Sequence, residues 1–169
     1  MRKNKGLSLV EILVTIVIIG LLITVTAFKI TTTKYANAES CTNRIEQKLS
    51  QLRLSVMSSK SQQYLIIYQA SDKNYYMAIC TDKDAICTTD DGEKIGNSRI
   101  RIKGSTGTED ILISYSDHKR IVISFNKSTG SFISIGGNLF NVVEVTSEDV
   151  VFRIYMVKET GKHYSKRIY

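Results

Sequence analysis

Apolar residues follow three successive patterns along this chain. Residues 7–28, LSLVEILVTIVIIGLLITVTAF, are apolar on every face of a helix, and Glu11 is the only ionisable side chain among them. Next, Ala38, Cys41, Ile45, Leu49, Leu52 and Val56 recur at spacings of 3, 4, 4, 3 and 4, a single helical stripe. Glu39, Asn43, Arg44, Glu46, Gln47, Lys48, Gln51, Arg53 and Ser55 fall off that stripe. Residues 37–58 therefore predict an amphipathic helix laid against an apolar surface. The chain has no proline, so helix from Leu7 to about Ser59 can run without a break. Thr31, Thr32 and Thr33 are weak helix formers and predict a local irregularity.

After Lys60 the period shortens to that of strands. Runs rich in Tyr, Ile and Val predict strands over residues 64–70, 74–81, 99–103, 111–115, 120–126, 131–135, 139–145, 150–157 and 164–169. Turn signals separate them, the clearest being Ser71-Asp72-Lys73, Asp90-Asp91-Gly92, residues 127–130 (KSTG) and Glu159-Thr160-Gly161. One long helix followed by many short strands predicts an α+β class, with the sheet closing over the helix.

The leading run is long enough to matter for location. Its 22 residues span about 33 Å as helix, against a hydrocarbon core of about 30 Å. Arg2, Lys3 and Lys5 abut it directly and are denser than Lys29 and Lys34 behind it, which places the N-terminus in the cytoplasm and the rest of the chain outside. A plain single-pass anchor fits the length but leaves Glu11 unpaired, and a carboxylate in hydrocarbon costs on the order of a few kcal/mol. A secretory signal would use Ala36-Asn37-Ala38 as its cleavage site, although signal cores run only about 7–15 residues. A buried helix of a soluble protein would need a surrounding apolar partner that no other segment supplies.

The segment KGLSLVEILVTIVIIGLL resembles the class III signal of type IV prepilins and pseudopilins. The shared parts are a short basic leader, its terminal glycine, an apolar residue and a glutamate at the fifth mature position, followed by an unbroken apolar helix. The family's first mature residue is usually phenylalanine, and here it is Leu7. The resemblance implies cleavage between Gly6 and Leu7 by a prepilin peptidase/methyltransferase that also N-methylates the new terminus at Leu7. Gly6 offers a protease close backbone access. Glu11 then falls in the first helical turn, where a negative charge complements the helix dipole. It would pair with the Leu7 amine, its own or a neighbour's, and set assembly register. The order of helix and strands, residues 120–130 (RIVISFNKSTG) and a final strand pair are similar, more weakly, to minor pseudopilins of the GspH/FimT type.

The resemblance implies a type IV pilin-like fold, with the hydrophobic half of the helix protruding and the amphipathic half packed on an antiparallel β-sheet domain. The expected parts are a leader at 1–6, a transmembrane and filament-core helix at 7–28, an amphipathic continuation at 29–60 and a β-rich extracytoplasmic domain at 61–169. The implied partners are the peptidase, other pilin or pseudopilin subunits, a membrane platform protein, an assembly ATPase and the membrane itself. The expected role is a structural subunit of a pilus or pseudopilus, minor rather than major. The alternatives are a competence subunit that contributes to DNA uptake, and a membrane-anchored extracellular β-domain with a binding role.

Charge and candidate chemistry change little. The net charge is +7, but Arg2, Lys3 and Lys5 lie in the expected leader, so the remainder is mildly basic. Arg99, Arg101 and Lys103 alternate as on one strand face, while Lys158, Lys162, Lys166 and Arg167 gather at the C-terminal hairpin with Tyr155, Tyr164 and Tyr169 nearby. Such a set suits DNA phosphates and stacked bases, or simply the solvated face of an edge sheet. Cys80 and Cys87 flank TDKDAI, where a disulfide would staple a loop; two free thiols and a metal site are the other readings. Cys41 lies on the helical stripe as a small core residue. Asp82, Asp84, Asp90, Asp91 and Glu93 form an acidic stretch without the EF-hand pattern, read as a solvated loop rather than a calcium site. His118 and His163 each adjoin a lysine and read as solvated surface. No catalytic pairing, HExxH or phosphate loop is present, so neither an enzyme nor a cofactor is expected.

Overall fold

The computed structural model describes residues 8–168, and within them the side chains of residues 24–32 lie outside the description. Helix α1 spans Leu9–Ser58. It passes through Thr31-Thr32-Thr33 with helical backbone throughout, so the expected irregularity is absent. Among the described residues nine strands follow: β1 (Tyr64–Gln69), β2 (Tyr75–Cys80), β3 (Glu93–Gly96), β4 (Ile100–Ser105), β5 (Asp110–Leu112), β6 (Ile121–Ile123), β7 (Val142–Ser147), β8 (Val150–Met156) and β9 (His163–Arg167). The chain divides into two compact units, Met1–Lys34 and Tyr35–Tyr169.

The second unit is built on the helical stripe. Ala38, Cys41, Ile45, Leu49, Leu52 and Val56 are all fully buried, in one cluster with residues from both sheets. The strands form two antiparallel sheets rather than one: a four-stranded sheet ordered β3-β2-β1-β6 and a five-stranded sheet ordered β5-β4-β7-β8-β9.

Their burial differs. In the five-stranded sheet Ile100, Ile102, Val143, Val145, Val150, Phe152 and Ile154 face the core and alternate with partly exposed residues, as expected of a sheet with one wet face. In the four-stranded sheet, β1 reads YLIIYQ and is buried on both faces. Leu65 and Ile67 join the helix core, while Ile66 and Tyr68 join a second cluster with Ala70, Tyr76 and Ala78. Ala85 and Cys87 pack on that second cluster from the connection between β2 and β3.

Arg53 of α1 ties the last turns to the helix. Its Nε donates to the Gly130 carbonyl at 3.0 Å and its Nη2 to the Thr160 carbonyl at 2.8 Å. Both turns end in a glycine of positive φ, Gly130 at 65° and Gly161 at 65°. A Cβ on Gly161 would overlap the Gly130 carbonyl oxygen, so here glycine is required for space as well as conformation.

Other expectations fail as well. β3 spans Glu93–Gly96, where no strand was expected, starting at the last residue of the stretch read as an acidic loop, and joins β2 with a register shift between Tyr75 and Tyr76. Residues 131–135 form no strand; Phe132 and Ile135 make isolated bridges before Gly136 and Gly137, both of positive φ, turn the chain. The strand expected over 120–126 is only Ile121–Ile123. His163, expected on the solvated surface, is partly buried against α1, with Nε2 3.0 Å from Ser50 Oγ and 3.2 Å from the Glu46 carbonyl.

Candidate functional site

Among the described residues of the first unit, a long run of apolar side chains is exposed. From Leu9 to Ile23, twelve large apolar side chains are exposed, from 79% at Leu9 to 47% at Ile12 and Val14. They point in every direction around the helix, because the run has no polar stripe. Completing their burial would contribute about half of a ~1.5–3 kcal/mol full burial each, on the order of 10–20 kcal/mol together. Monomeric soluble proteins rarely leave so large an apolar surface open, which marks it as a place for lipid or for other helices.

Glu11 stands in the first turn of this helix and is exposed. The backbone N–H groups of Glu11 and Ile12 both donate to the Ser8 carbonyl, at 2.9 and 3.1 Å, so helical hydrogen bonding begins at Ser8. A carboxylate here faces the positive end of the helix dipole. Gly6 and Leu7, the expected cleavage pair, lie outside the described residues. Among the described residues no helix is long and apolar enough to cross a membrane. Residues 9–23, whose side chains are described, amount to about 22 Å of helix, short of a ~30 Å hydrocarbon core.

The basic residues expected to act together are dispersed. Arg101 and Lys103 stand on the outer face of β4, but Arg99 is in the preceding turn. Lys103 is held by Asp110 at 3.2 Å and Glu144 at 3.7 Å, and Arg153 by Glu144 at 2.8 Å. Lys166 pairs with Arg153 across the β8–β9 ladder, next to the stacked Tyr155 and Tyr164, whose centroids are 5.4 Å apart. Lys158 and Lys162 lie in the turn between those strands. Arg167 faces the other way, its guanidinium 4.9 Å above the Tyr35 ring. Strand alternation separates Lys166 from Arg167 despite their adjacency.

Three of the acidic residues are engaged separately. Asp91 accepts from the Thr88 N–H and hydroxyl, both at 2.7 Å, and these bonds hold its carboxyl below the usual carboxylate range. Glu93 meets Arg44 and Lys48 of α1 at 3.5 Å each, and Asp84 meets Lys83 at 2.7 Å. Among the described residues no three His, Cys, Asp or Glu side chains converge as metal ligands.

One feature the sequence did not announce is a groove of about 560 Å³ on the outer side of the four-stranded sheet. Its floor is Ile66, Tyr68 and Ala70; its walls are the 84–89 loop and the 114–120 turn, with Ile86 90% exposed at the rim. No periodicity signals it, because its walls are loops.

Residues 1–27 match the prokaryotic N-terminal methylation motif. That match spans the expected leader and cleavage pair, Glu11 and most of the apolar run, and it is consistent with the type IV prepilin and pseudopilin family. The motif implies a membrane-anchored, prepilin-type protein that a prepilin peptidase processes and that assembles with other pilins. A helix followed by antiparallel sheets is compatible with a pilin-like fold. No curated protein matches the chain, and no solved structure matches it.

Proposed function

We propose that this chain is a minor structural subunit of a type IV pilus-like filament or pseudopilus, cut between Gly6 and Leu7 and assembled through its N-terminal helix. The observation that carries the reading is the all-round exposed apolar surface of residues 9–23, with one carboxylate in its first turn, within the span of the methylation motif. Before assembly the helix crosses the membrane once, with the domain on the outer side. In the filament it packs against equivalent helices. Bilayer and filament interior are both apolar, so the transfer gains little hydrophobic free energy, and a platform protein and ATPase must drive it.

Processing creates a charge that the precursor lacks, the Leu7 amine. Paired with Glu11, it removes an uncompensated carboxylate from the apolar phase; a partner removed from such a pair leaves a costly buried charge. Across neighbouring subunits the same pair fixes axial register. In cells with a type IV assembly system, Glu11→Val is expected to insert and be processed normally yet disappear from sheared filaments. Filaments containing Glu11→Val at the wild-type level would contradict the reading. The basic residues are dispersed, and Lys103 among them already faces Asp110 and Glu144, so they do not favour a DNA-contacting role over this one.

A further inference from the structure

We propose that Cys80 and Cys87 are joined by a disulfide in the mature protein, and that the bridge fixes the loop forming one wall of the outer groove. The two Sγ atoms are 3.8 Å apart, near enough that a small rotation of each side chain reaches the bonding distance of about 2.05 Å. Cys80 ends β2, and Cys87 packs beside it over the second apolar cluster. The third thiol is no competitor. Cys41 lies fully buried under the opposite face of the sheet, among the helix-stripe residues, and burial pushes its thiol up to about 12.

The loop between the cysteines is already held in place. Arg120 donates to the carbonyls of Ala85 and Lys83, and the Tyr68 hydroxyl donates to the Thr88 carbonyl at 2.6 Å. Asp91 caps Thr88. These contacts seat the loop over Ile66, Tyr68, Tyr76 and Ala78, so the bridge locks a conformation instead of imposing one. Burial also pushes the Cys87 thiol up to about 11, leaving little thiolate at neutral pH. A pair of that kind is a structural cross-link rather than an exchange catalyst.

The oxidant is a disulfide-bearing thiol oxidoreductase of the cell envelope. One cysteine attacks its disulfide as thiolate and releases one oxidant thiol. The other then attacks the mixed disulfide and releases the second. The protein loses two protons and two electrons, and the oxidant disulfide becomes a dithiol. The envelope as the compartment rests on the function proposed above, whereas the sulfur geometry does not.

Tryptic mapping after alkylation separates the two. Cleavage at Lys73, Lys83 and Lys94 puts Cys80 in peptide 74–83 and Cys87 in peptide 84–94, with Cys41 elsewhere. The full chain, reduced in detergent and then exposed to a glutathione redox couple, is expected to yield 74–83 linked to 84–94, with Cys41 the only alkylated thiol. The chain extracted from cells under alkylating conditions is expected to yield the same pair. Alkylated peptides without the linked pair in the detergent experiment, or pairing through Cys41, would overturn the assigned geometry. Linkage in detergent but free thiols from cells would overturn the bridge in the mature protein and count against an extracytoplasmic domain.

Discussion

Glu11 is the residue whose environment changes most during the proposed cycle. It is a solvated carboxylate in the described helix, and in a bilayer or a filament core it needs the Leu7 amine. Two other residues carry sharper local tests. Gly161→Ala forces a Cβ into the Gly130 carbonyl as well as into positive φ, whereas Gly136, at φ 59°, has open space around it. Gly136→Ala should cost roughly 1 kcal/mol, the left-handed strain alone, and Gly161→Ala at least about twice that, read from denaturant midpoints. Equal costs would mean that the two turns do not meet. Asp91 gives the pH test. Its folded carboxyl titrates below the ordinary value, so its contribution is present above the unfolded pKa near 3.8 and is lost as pH falls through the folded one. The Thr88 amide resonance should therefore shift below about pH 4 in the wild type and stay fixed in Asp91→Asn.

Among the elements, α1 was the most legible in the sequence, because burial on a single helix face leaves a period that few loops imitate. All six stripe residues from Ala38 to Val56 are buried where that period places them. Leu49→Ala should cost about 2–5 kcal/mol of domain stability in denaturant unfolding. β1, β2, β7 and β8 were legible from their β-branched and aromatic content. β3 was not, because a four-residue strand with Glu93 and Lys94 exposed offers no alternation, and its place is set by pairing with β2 and by Arg44 and Lys48. His163 misled for a related reason: its lysine neighbour is solvated, but alternation along β9 turns the imidazole toward α1. The loop from Cys80 to Cys87 was recognisable as a loop, but its closure onto a second apolar cluster depends on β1 being buried on both faces. Reducing the proposed disulfide should lower stability by roughly 2–3 kcal/mol, the loop-closure value for so short a ring.

At the scale of the whole molecule, the division between two sheets left no trace in the sequence, since strand order is a matter of long-range pairing. The division of labour was clear from the start. One segment is apolar on all sides and needs an apolar environment; another has a complete core of its own. In the proposed function both depend on one covalent event, the cut between Gly6 and Leu7, at residues that the motif spans. Its most direct test is intact-mass and N-terminal analysis of the protein recovered from membranes of cells that contain a prepilin peptidase. The expected result is a chain that begins at N-methylated Leu7. A chain that retains Met1 and the leader, or one that begins at Glu39 after cleavage behind Ala38, would contradict it.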